Sequence, residues 1–432
     1  MFHSLKRIML LAGVSISGVL AAQEKVDVKV IDSIVEVKLK QQKEADAKLN
    51  KEQTDLLDKL KTFANQRIVL SGGLAVRVGE MDWDYEKSED VYAPDHFRTR
   101  FGFNLQAQAK ISNNFSVTGR MRSGTLQFTW TDFGSEAEDK LHLILDRAFF
   151  KYQSKQYWVT LGRNQQIWES LGSLQFDVPA HDGIAMGAQY KLGKTTTFEP
   201  KLAYYIERHG SSSVKNDGKM YGVMLKSMTD LESTKIAGRA GLIVSNELQD
   251  ASKGIHAGHY VNGSTGKYYS GDLANDYNIL LLGTSITFKK LKNLTIEGDF
   301  YQNLRKYDTN PLSWQITTGT EGTPDFTDDR TGYTISAWLG NTSGDKGAWK
   351  AGAYYIYLEK YAAQDFFSSY NHATWTSTNM KGFEFFGAYQ ILKNLEVYGR
   401  LFFMEDIKGY NGNDMDFTQH GNRFRLDLKF TF

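Results

Sequence analysis

The sequence predicts an all-β protein: a transmembrane antiparallel β-barrel of about sixteen strands, preceded by a signal peptide and a periplasmic α-helix. Three observations support this prediction. From Arg67 onward, apolar and polar residues alternate with a period of two. The connections between these segments alternate between short turns and longer loops. The last segment keeps the alternation to its end and finishes on Phe432.

Residues 1–22 have the pattern of a secretory signal peptide. Lys6 and Arg7 precede an apolar run from Ile8 to Leu20, and two alanines follow it. The run is shorter than the roughly 20 residues that a membrane-spanning helix needs. The sequence therefore predicts export of the chain and removal of residues 1–22.

Residues 23–66 are predicted to form a periplasmic helix. They contain no Gly or Pro and are rich in Lys, Glu, Gln, Ala and Leu, which favour helices. Apolar residues recur near heptad spacing, at Ile31, Val35, Ala45, Leu49, Leu56 and Phe63. Polar residues occupy the intervening seam positions. Three arrangements fit this pattern: an oligomerising coiled coil, a helix folded against or into the barrel, or a spacer.

Residues 67–432 are predicted to form the barrel. Period-two segments are separated by residues that favour turns, mainly Gly, Asn, Asp, Ser and Lys. The predicted strands lie near residues 67–80, 97–111, 115–130, 141–153, 157–165, 182–191, 198–208, 218–228, 234–247, 277–289, 294–305, 332–341, 348–360, 380–391, 394–405 and 420–432.

The lengths of the connections distinguish a membrane barrel from a soluble sandwich. Short turns alternate with longer connections near residues 81–96, 131–140, 166–181, 209–217, 248–276, 306–331, 361–379 and 406–419. Outer-membrane barrels have short turns at the periplasmic edge and long loops outside. A soluble sandwich has no reason to keep its long loops at one end, so the alternation favours the membrane barrel.

The segment from Phe97 to Ser123 shows which side chains share a face. Phe101 and Phe103 fall on one parity, whereas Arg98 and Arg100 fall on the other. Charges on a lipid-facing wall would cost about 2–4 kcal/mol each near the bilayer midplane. The apolar parity is therefore expected to face lipid, and the polar parity to line a water-filled lumen.

Composition narrows the class of protein further. A formal net charge of +1 argues against a nucleic-acid-binding protein, and the absence of cysteine excludes a disulfide framework. The chain has 26 Phe, 23 Tyr and 8 Trp, yet its mean hydropathy is -0.44. Both values fit a barrel in which only every second strand residue faces lipid.

The polar parity places charged residues on the lumen wall. Because a closed barrel pairs its last strand with its first, basic residues of the first three and last two strands form one predicted ladder: Arg77, Arg98, Arg100, Arg120, Arg122, Arg400, Arg423 and Arg425. About half way round, the predicted acids are Glu199, Glu207, Glu297 and Asp299. Opposed charges of this kind would sort solutes. The alternative is that basic residues near strand ends reach toward lipid headgroups or bind lipopolysaccharide phosphates.

Two stretches resemble known families. The final strand, GNRFRLDLKFTF, resembles the terminal strand of Gram-negative outer-membrane proteins, which serves as a signal for their assembly machinery. The stretch LDRAFFKYQSKQYWVTLGRNQ, from Leu145 to Gln165, resembles a strand–turn–strand unit of the Putative porin family. The resemblance, which includes the N-terminal helical segment, implies an outer-membrane porin. If the 166–181 loop folds inward, as the third loop does in general porins, Glu169 and Asp177 would lie at a constriction.

The expected function is passive diffusion of small hydrophilic solutes with a mild preference for anions. One alternative is a structural or adhesive outer-membrane barrel tethered to the periplasm through its helix. Another is a hydrolase on the barrel wall, although the chain has no G-x-S-x-G or H-E-x-x-H motif, and we expect no enzyme activity. No cofactor is expected, and no metal site, since His256 and His259 have no obvious third ligand.

The expected location is the outer membrane, with the N-terminal helix and the C-terminus in the periplasm. The expected partners are outer-membrane lipid, lipopolysaccharide, the barrel assembly machinery, passing solutes and copies of the chain in a homotrimer. No nucleic acid is expected among them.

Overall fold

The structure of the protein is a computed structural model. It describes residues 28–88, 91–92, 96–124, 131–132, 143–169, 181–207, 218–246, 260–262, 267–269, 276–307, 326–342, 344–363, 378–408 and 420–432. The chain divides into two compact units, Met1–Gln66 and Arg67–Phe432.

The first unit contains the predicted helix. Helix α1 spans Val28–Arg67, which is 40 residues. Its uninterrupted length reflects the absence of Gly and Pro and the abundance of Ala, Leu, Lys, Glu and Gln. Two of the heptad-spaced leucines, Leu49 and Leu56, are exposed. Within the described part of the chain, no helix is long and apolar enough to cross a membrane.

The second unit is built from sixteen wall strands. They are β1 (Ile68–Ser88), β2 (His96–Lys110), β3 (Phe115–Ser123), β4 (Leu143–Gln153), β5 (Tyr157–Asn164), β6 (His181–Ala188 continued by Tyr190–Leu192), β7 (Thr196–Glu207), β8 (Gly218–Asp230), β9 (Thr234–Asn246), β10 (Tyr277–Phe288), β11 (Leu294–Asn303), β12 (Thr331–Gly340), β13 (Trp349–Leu358), β14 (Met380–Leu392), β15 (Leu395–Asp406) and β16 (His420–Thr431). Four short strands accompany them: Val91–Tyr92, Thr131–Asp132, Tyr260–Asn262 and Lys267–Tyr269.

The sheet is closed. Every wall strand pairs antiparallel with its neighbours in sequence, and β1 pairs with both β2 and β16. The C-terminal residue completes the closure, because the backbone N–H of Phe432 donates to the carbonyl of Gly72 at 3.1 Å and the reverse bond is 3.0 Å. The prediction of a closed antiparallel barrel of about sixteen strands is confirmed.

The connections alternate in length as predicted. Short turns join β2 to β3, β4 to β5, β6 to β7, β8 to β9, β10 to β11, β12 to β13 and β14 to β15, whereas long connections join the other pairs. Because neighbouring strands run antiparallel, the two kinds of connection lie at opposite ends of the barrel. The β10–β11 turn places Lys292 and Asn293 at φ 52° and 55°, as tight hairpin turns require.

The two parities of each strand face different surroundings. On β2, Phe97 is 67% exposed on the outward face, while Arg98 and Arg100 are partly buried on the inward face. The same outward exposure is seen at Leu161 on β5 and Ile335 on β12. An apolar outer surface of this kind requires an apolar medium around it.

One region of the inner face differs from the prediction of a polar lumen wall. Inward-facing residues of β6 to β15, near the ends that carry the long connections, form an apolar cluster that includes Tyr277, Leu281, Tyr301, Leu358 and Phe402. Connection residues pack into it, namely Ile167, Trp168, Phe326, Tyr361, Ala362 and Ala363. The expectation of water along the whole inner parity is therefore wrong here, because connections that fold inward bring apolar side chains with them.

Candidate functional site

The basic residues predicted for the lumen wall lie on the inner face. Arg98 and Arg100 project from β2, Arg120 and Arg122 from β3, and Arg77 from β1, while Arg400 projects from β15 and Arg423 and Arg425 from β16. On β2, β3 and β4 the described inner side chains include seven cations, Arg98, Arg100, Lys110, Arg120, Arg122, Arg147 and Lys151, and one carboxylate, Asp146. We call this set the cationic wall.

Several of the predicted basic residues are paired rather than free to act as a ladder. Arg77 donates to Asp427 through Nε at 2.8 Å and through Nη2 at 3.3 Å. Asp146 accepts from Arg120 Nε at 2.9 Å, and Arg122 Nε lies 3.1 Å from the same carboxylate. The basic ladder is therefore not uniform in charge, because register brings acids of β4 and β16 beside these arginines, and its role as a filter stays a prediction.

A further deeply buried ion pair joins the neighbouring strands β14 and β15. Arg400 on β15 donates to Glu384 on β14 through Nε at 2.7 Å and through Nη2 at 3.0 Å, and the Glu384 side chain is 0% exposed. The ring of Phe402 lies near both Arg400 and Arg425, with its centroid 4.7 Å and 5.1 Å from the two guanidinium carbons. Stacking on an aromatic face stabilises guanidinium groups that burial has removed from water.

Two of the acidic residues half way round, Glu297 and Asp299, share one cation. Arg239 on β9 reaches across β10 to Glu297 and Asp299 on β11, with Nη2 lying 2.9 Å from Asp299. Gly283 on β10 permits this crossing, since a Cβ there would lie 2.1 Å from the Asp299 carboxylate. A cation from a nearby strand therefore offsets part of the charge of Glu297 and Asp299, and their role as an acidic wall stays a prediction.

The other predicted acids have different surroundings. Glu199 accepts from Gln189 at 2.8 Å, and Lys201 lies 3.9 Å from it. Glu207 ends β7, but its side chain lies outside the described residues, as do Asp177, His256 and His259. Among the residues that the structure describes, no group of three or more His, Asp or Glu could hold a metal ion.

The beginning of the 166–181 connection lies on the inner wall. Trp168 is buried against Tyr205 of β7, with ring centroids 5.9 Å apart at 84°. Its ring also covers Gly222 of β8, where a Cβ would come within 3.1 Å. Glu169 then accepts hydrogen bonds from Lys201 and Lys226, both at 2.5 Å. Residues 167–169 thus form an inward anchor on the β7–β8 wall.

Protonation of Glu169 would weaken the inward anchor. Burial alone would raise the pKa of its carboxyl, but the hydrogen bonds and positive charges of Lys201 and Lys226 outweigh burial, so the pKa lies below its ordinary value of 4.5. Ionised Glu169 therefore stabilises the inward anchor fully above pH 4.5, and this stabilisation is lost as pH falls through the lowered pKa.

We expect Glu169→Gln to loosen the inward anchor at neutral pH. Amide hydrogen exchange of residues 165–169, corrected for intrinsic pH dependence, should be several-fold faster in the variant because two charge-assisted bonds are lost. In the unsubstituted protein, exchange should stay slow down to about pH 4.5 and rise below it. Glu199→Gln is the matched control on the same wall. Equal exchange in the two variants, or loosening of the unsubstituted anchor well above pH 4.5, would contradict this account.

Sequence reasoning missed several of the residues that set the charge of the wall. Arg147 and Lys151 share the inner parity of β4, and a register shift beside them leaves Asp146 inside as well. Lys201, Lys226 and Arg239 could have been found by extending the parity count to β7, β8 and β9. The pairing of these cations with Glu169, Glu297 and Asp299 could not have been found in this way, since it depends on the register between strands.

Comparisons with known proteins agree with the barrel. A family model described as Putative porin matches residues 182–420. The chain is similar to OprB of Pseudomonas putida, solved at high pH, at 12% identity over 88% of this chain and 96% of that one, with a TM-score of 0.50. It is also similar to a triple mutant of the Rhodopseudomonas blastica porin, at 12% identity over 84% and 100% of the two chains, with a TM-score of 0.45. No curated protein matches the sequence.

Proposed function

Since the chain belongs to the Putative porin family, we propose that this outer-membrane channel conducts small hydrophilic solutes by passive diffusion with a mild preference for anions. The family and the closed sixteen-strand barrel point to a channel rather than an enzyme. The cationic wall supports the preference for anions, because its described side chains carry seven positive charges and one negative charge.

The preference is mild for two physical reasons. Charges on the wall are screened over about 8 Å at physiological ionic strength, so ions in the middle of a wide lumen are affected little. In addition, Asp146 offsets part of the charge of Arg120 and Arg122. The proposal is therefore a bias in permeability and not exclusion of cations.

The remaining organisation is proposed from the sequence. Residues 1–22 form the signal peptide, residues 23–66 a periplasmic helix and residues 67–432 the barrel, with the C-terminus also periplasmic. Lipid and lipopolysaccharide surround the barrel, and the assembly machinery recognises the last strand. Exposed Leu49 and Leu56 support contact between the helices of several copies, in a homotrimer.

A second candidate function is a structural or adhesive barrel that conducts little. The apolar cluster that fills part of the interior favours it, because Phe326, Tyr361 and Trp168 occupy space that a wide pore would leave to water. The two candidates differ in one measurable property, which is the presence of open-channel current.

Reconstitution of the full chain in planar bilayers tests the proposal. We expect stepwise conductance, with steps in groups of three if trimers insert. In a KCl gradient, the reversal potential should have the sign of a pore that prefers chloride. Arg98→Gln combined with Arg100→Gln should move that potential toward zero. Arg163→Gln, which removes a charge paired with Asp182 on the outward parity of β5 and β6, should leave it unchanged.

Each outcome has a distinct meaning. The absence of conductance steps in correctly folded protein would favour the structural alternative. Conductance whose anion preference survives the Arg98 and Arg100 substitutions would remove the cationic wall from the account of selectivity. A preference for cations would contradict the proposed selectivity directly.

A further inference from the structure

Four aromatic rings lie on the inner wall of β12 to β15. Trp338, Tyr354, Phe386 and Tyr398 project inward from four successive strands, and we call them the aromatic band. Tyr354 and Phe386 stack with centroids 5.0 Å apart at 26°. Phe386 and Tyr398 follow at 6.3 Å and 54°.

Most of the aromatic band lies away from the apolar cluster described above, and Tyr354 is the member that packs against that cluster. Trp338, near the end of β12, and Tyr398, near the start of β15, are close to the short turns, whereas the apolar cluster occupies the ends with long connections. Three of the four residues, Trp338, Tyr354 and Tyr398, are only partly buried. A small solute in the lumen could therefore touch their faces.

Two lysines flank the aromatic band. Lys350 Nζ lies 4.2 Å from the ring centroid of Trp338 and 5.2 Å from that of Phe386. On the other side, Lys429 Nζ lies 3.7 Å from the Tyr398 ring, with Glu396 3.8 Å away. Both ammonium groups are thus held on aromatic faces by cation–π attraction.

Lys350 differs from the paired arginines of the inner wall. Arg77, Arg120, Arg239 and Arg400 each pair with a carboxylate. No ion pair within 4 Å joins Lys350 Nζ to a carboxylate of the described residues, and Glu297 and Glu396 act on Lys350 only over a longer distance. A partly buried ammonium that rests on rings without an acidic partner keeps its attraction for an incoming anion. The adjoining ring faces offer apolar contact to a flat group attached to that anion.

We propose that the aromatic band and Lys350 form a binding site for small aromatic carboxylates. The carboxylate pairs with Lys350, and the ring of the solute packs on the partly exposed Trp338. This inference rests on the proposed function, since it names a class of solute for the same lumen. Both parts of the site are needed to define this class of solute. Lys350 alone would bind any anion, and the rings alone would also bind the apolar face of a neutral sugar.

Isothermal titration of the full chain in lipid nanodiscs with benzoate tests the site without relying on conductance. Benzoate should bind, whereas acetate, which supplies only the charge, and benzyl alcohol, which supplies only the ring, should bind at least several-fold more weakly. Glucose should show no comparable binding. Stronger binding of glucose than of benzoate would overturn the proposed solute class.

Two variants and two controls locate the site. Lys350→Gln and Trp338→Leu should each weaken benzoate binding by roughly ten-fold. Trp349→Leu is the matched control, because Trp349 neighbours Lys350 in the chain but lies on the outward face, 40% exposed. Lys381→Gln, paired with Glu405 at the opposite end of the wall, is the control for charge. Circular dichroism identifies any variant that fails to fold. If Trp338→Leu fails to fold, the benzoate affinity of Lys350→Gln alone tests the site.

The outcomes separate this inference from the proposed function. Conductance without benzoate binding, or binding that is equal in Lys350→Gln and Lys381→Gln, would overturn the site and leave the channel standing. Binding that is lost in Lys350→Gln and retained in Trp349→Leu would support the site even if no current were observed.

Discussion

Replacing Arg400 with leucine is expected to lower the free energy of unfolding of the barrel by about 3–5 kcal/mol. The reason is the state of its partner. Glu384 is 0% exposed and receives two hydrogen bonds from Arg400, so the substitution removes both bonds from a carboxylate that is shielded from water. Loss of the cation–π contact with Phe402 adds to the effect. Urea unfolding in lipid vesicles measures the change.

Two further variants show whether the buried charge is the cause. The double variant Arg400→Leu with Glu384→Leu should recover much of the stability, because replacing both partners by apolar groups leaves no charge unpaired. Lys381→Ala should change stability far less, since its partner Glu405 is 51% exposed to solvent. A loss in the double variant as large as in Arg400→Leu would show that packing and not charge governs this position.

The strand pattern could be predicted from the sequence because it is a local property. Period two marks each wall strand, and turn residues mark the short connections, as at Lys292 and Asn293. These signals located all sixteen wall strands to within a few residues at most ends. β1 is longer than predicted and continues to Ser88, and β3 ends earlier, at Ser123.

The apolar cluster inside the barrel had a sequence signal that parity alone does not capture. The start of β10 reads YNILLLG, a run in which Ile279 and Leu281 face inward while Leu280 and Leu282 face outward. A continuous apolar run indicates a strand buried on both faces. It would have predicted that connection residues such as Phe326 and Tyr361 cover the inner wall there.

The charge pattern of the wall could be predicted only in part. Parity places Arg77 and Arg400 inside, but it does not say which acid lies beside each of them. The pairing of Arg77 with Asp427 depends on the register between β1 and β16, which is fixed by closure of the whole sheet. The reach of Arg239 to Asp299 depends on Gly283 in the strand between them. Such contacts are properties of the assembled barrel.

The assignment of the apolar parity to lipid and the polar parity to the lumen can be tested on β2. The chain has no cysteine, so single cysteines can be introduced without background. Asn104, Gln106 and Gln108 lie on the inner parity, and Phe103 and Leu105 lie on the outer parity. Each variant is reconstituted in bilayers and treated with a charged, water-soluble thiol reagent while the current is recorded.

Cysteines at 104, 106 and 108 should react and reduce the open-channel current, because the reagent adds bulk and charge to the lumen wall. Cysteines at 103 and 105 should resist the charged reagent and react with a lipid-soluble maleimide instead. Reaction without alternation, or with the alternation reversed, would contradict the assignment on which the channel, its cationic wall and the aromatic band all depend.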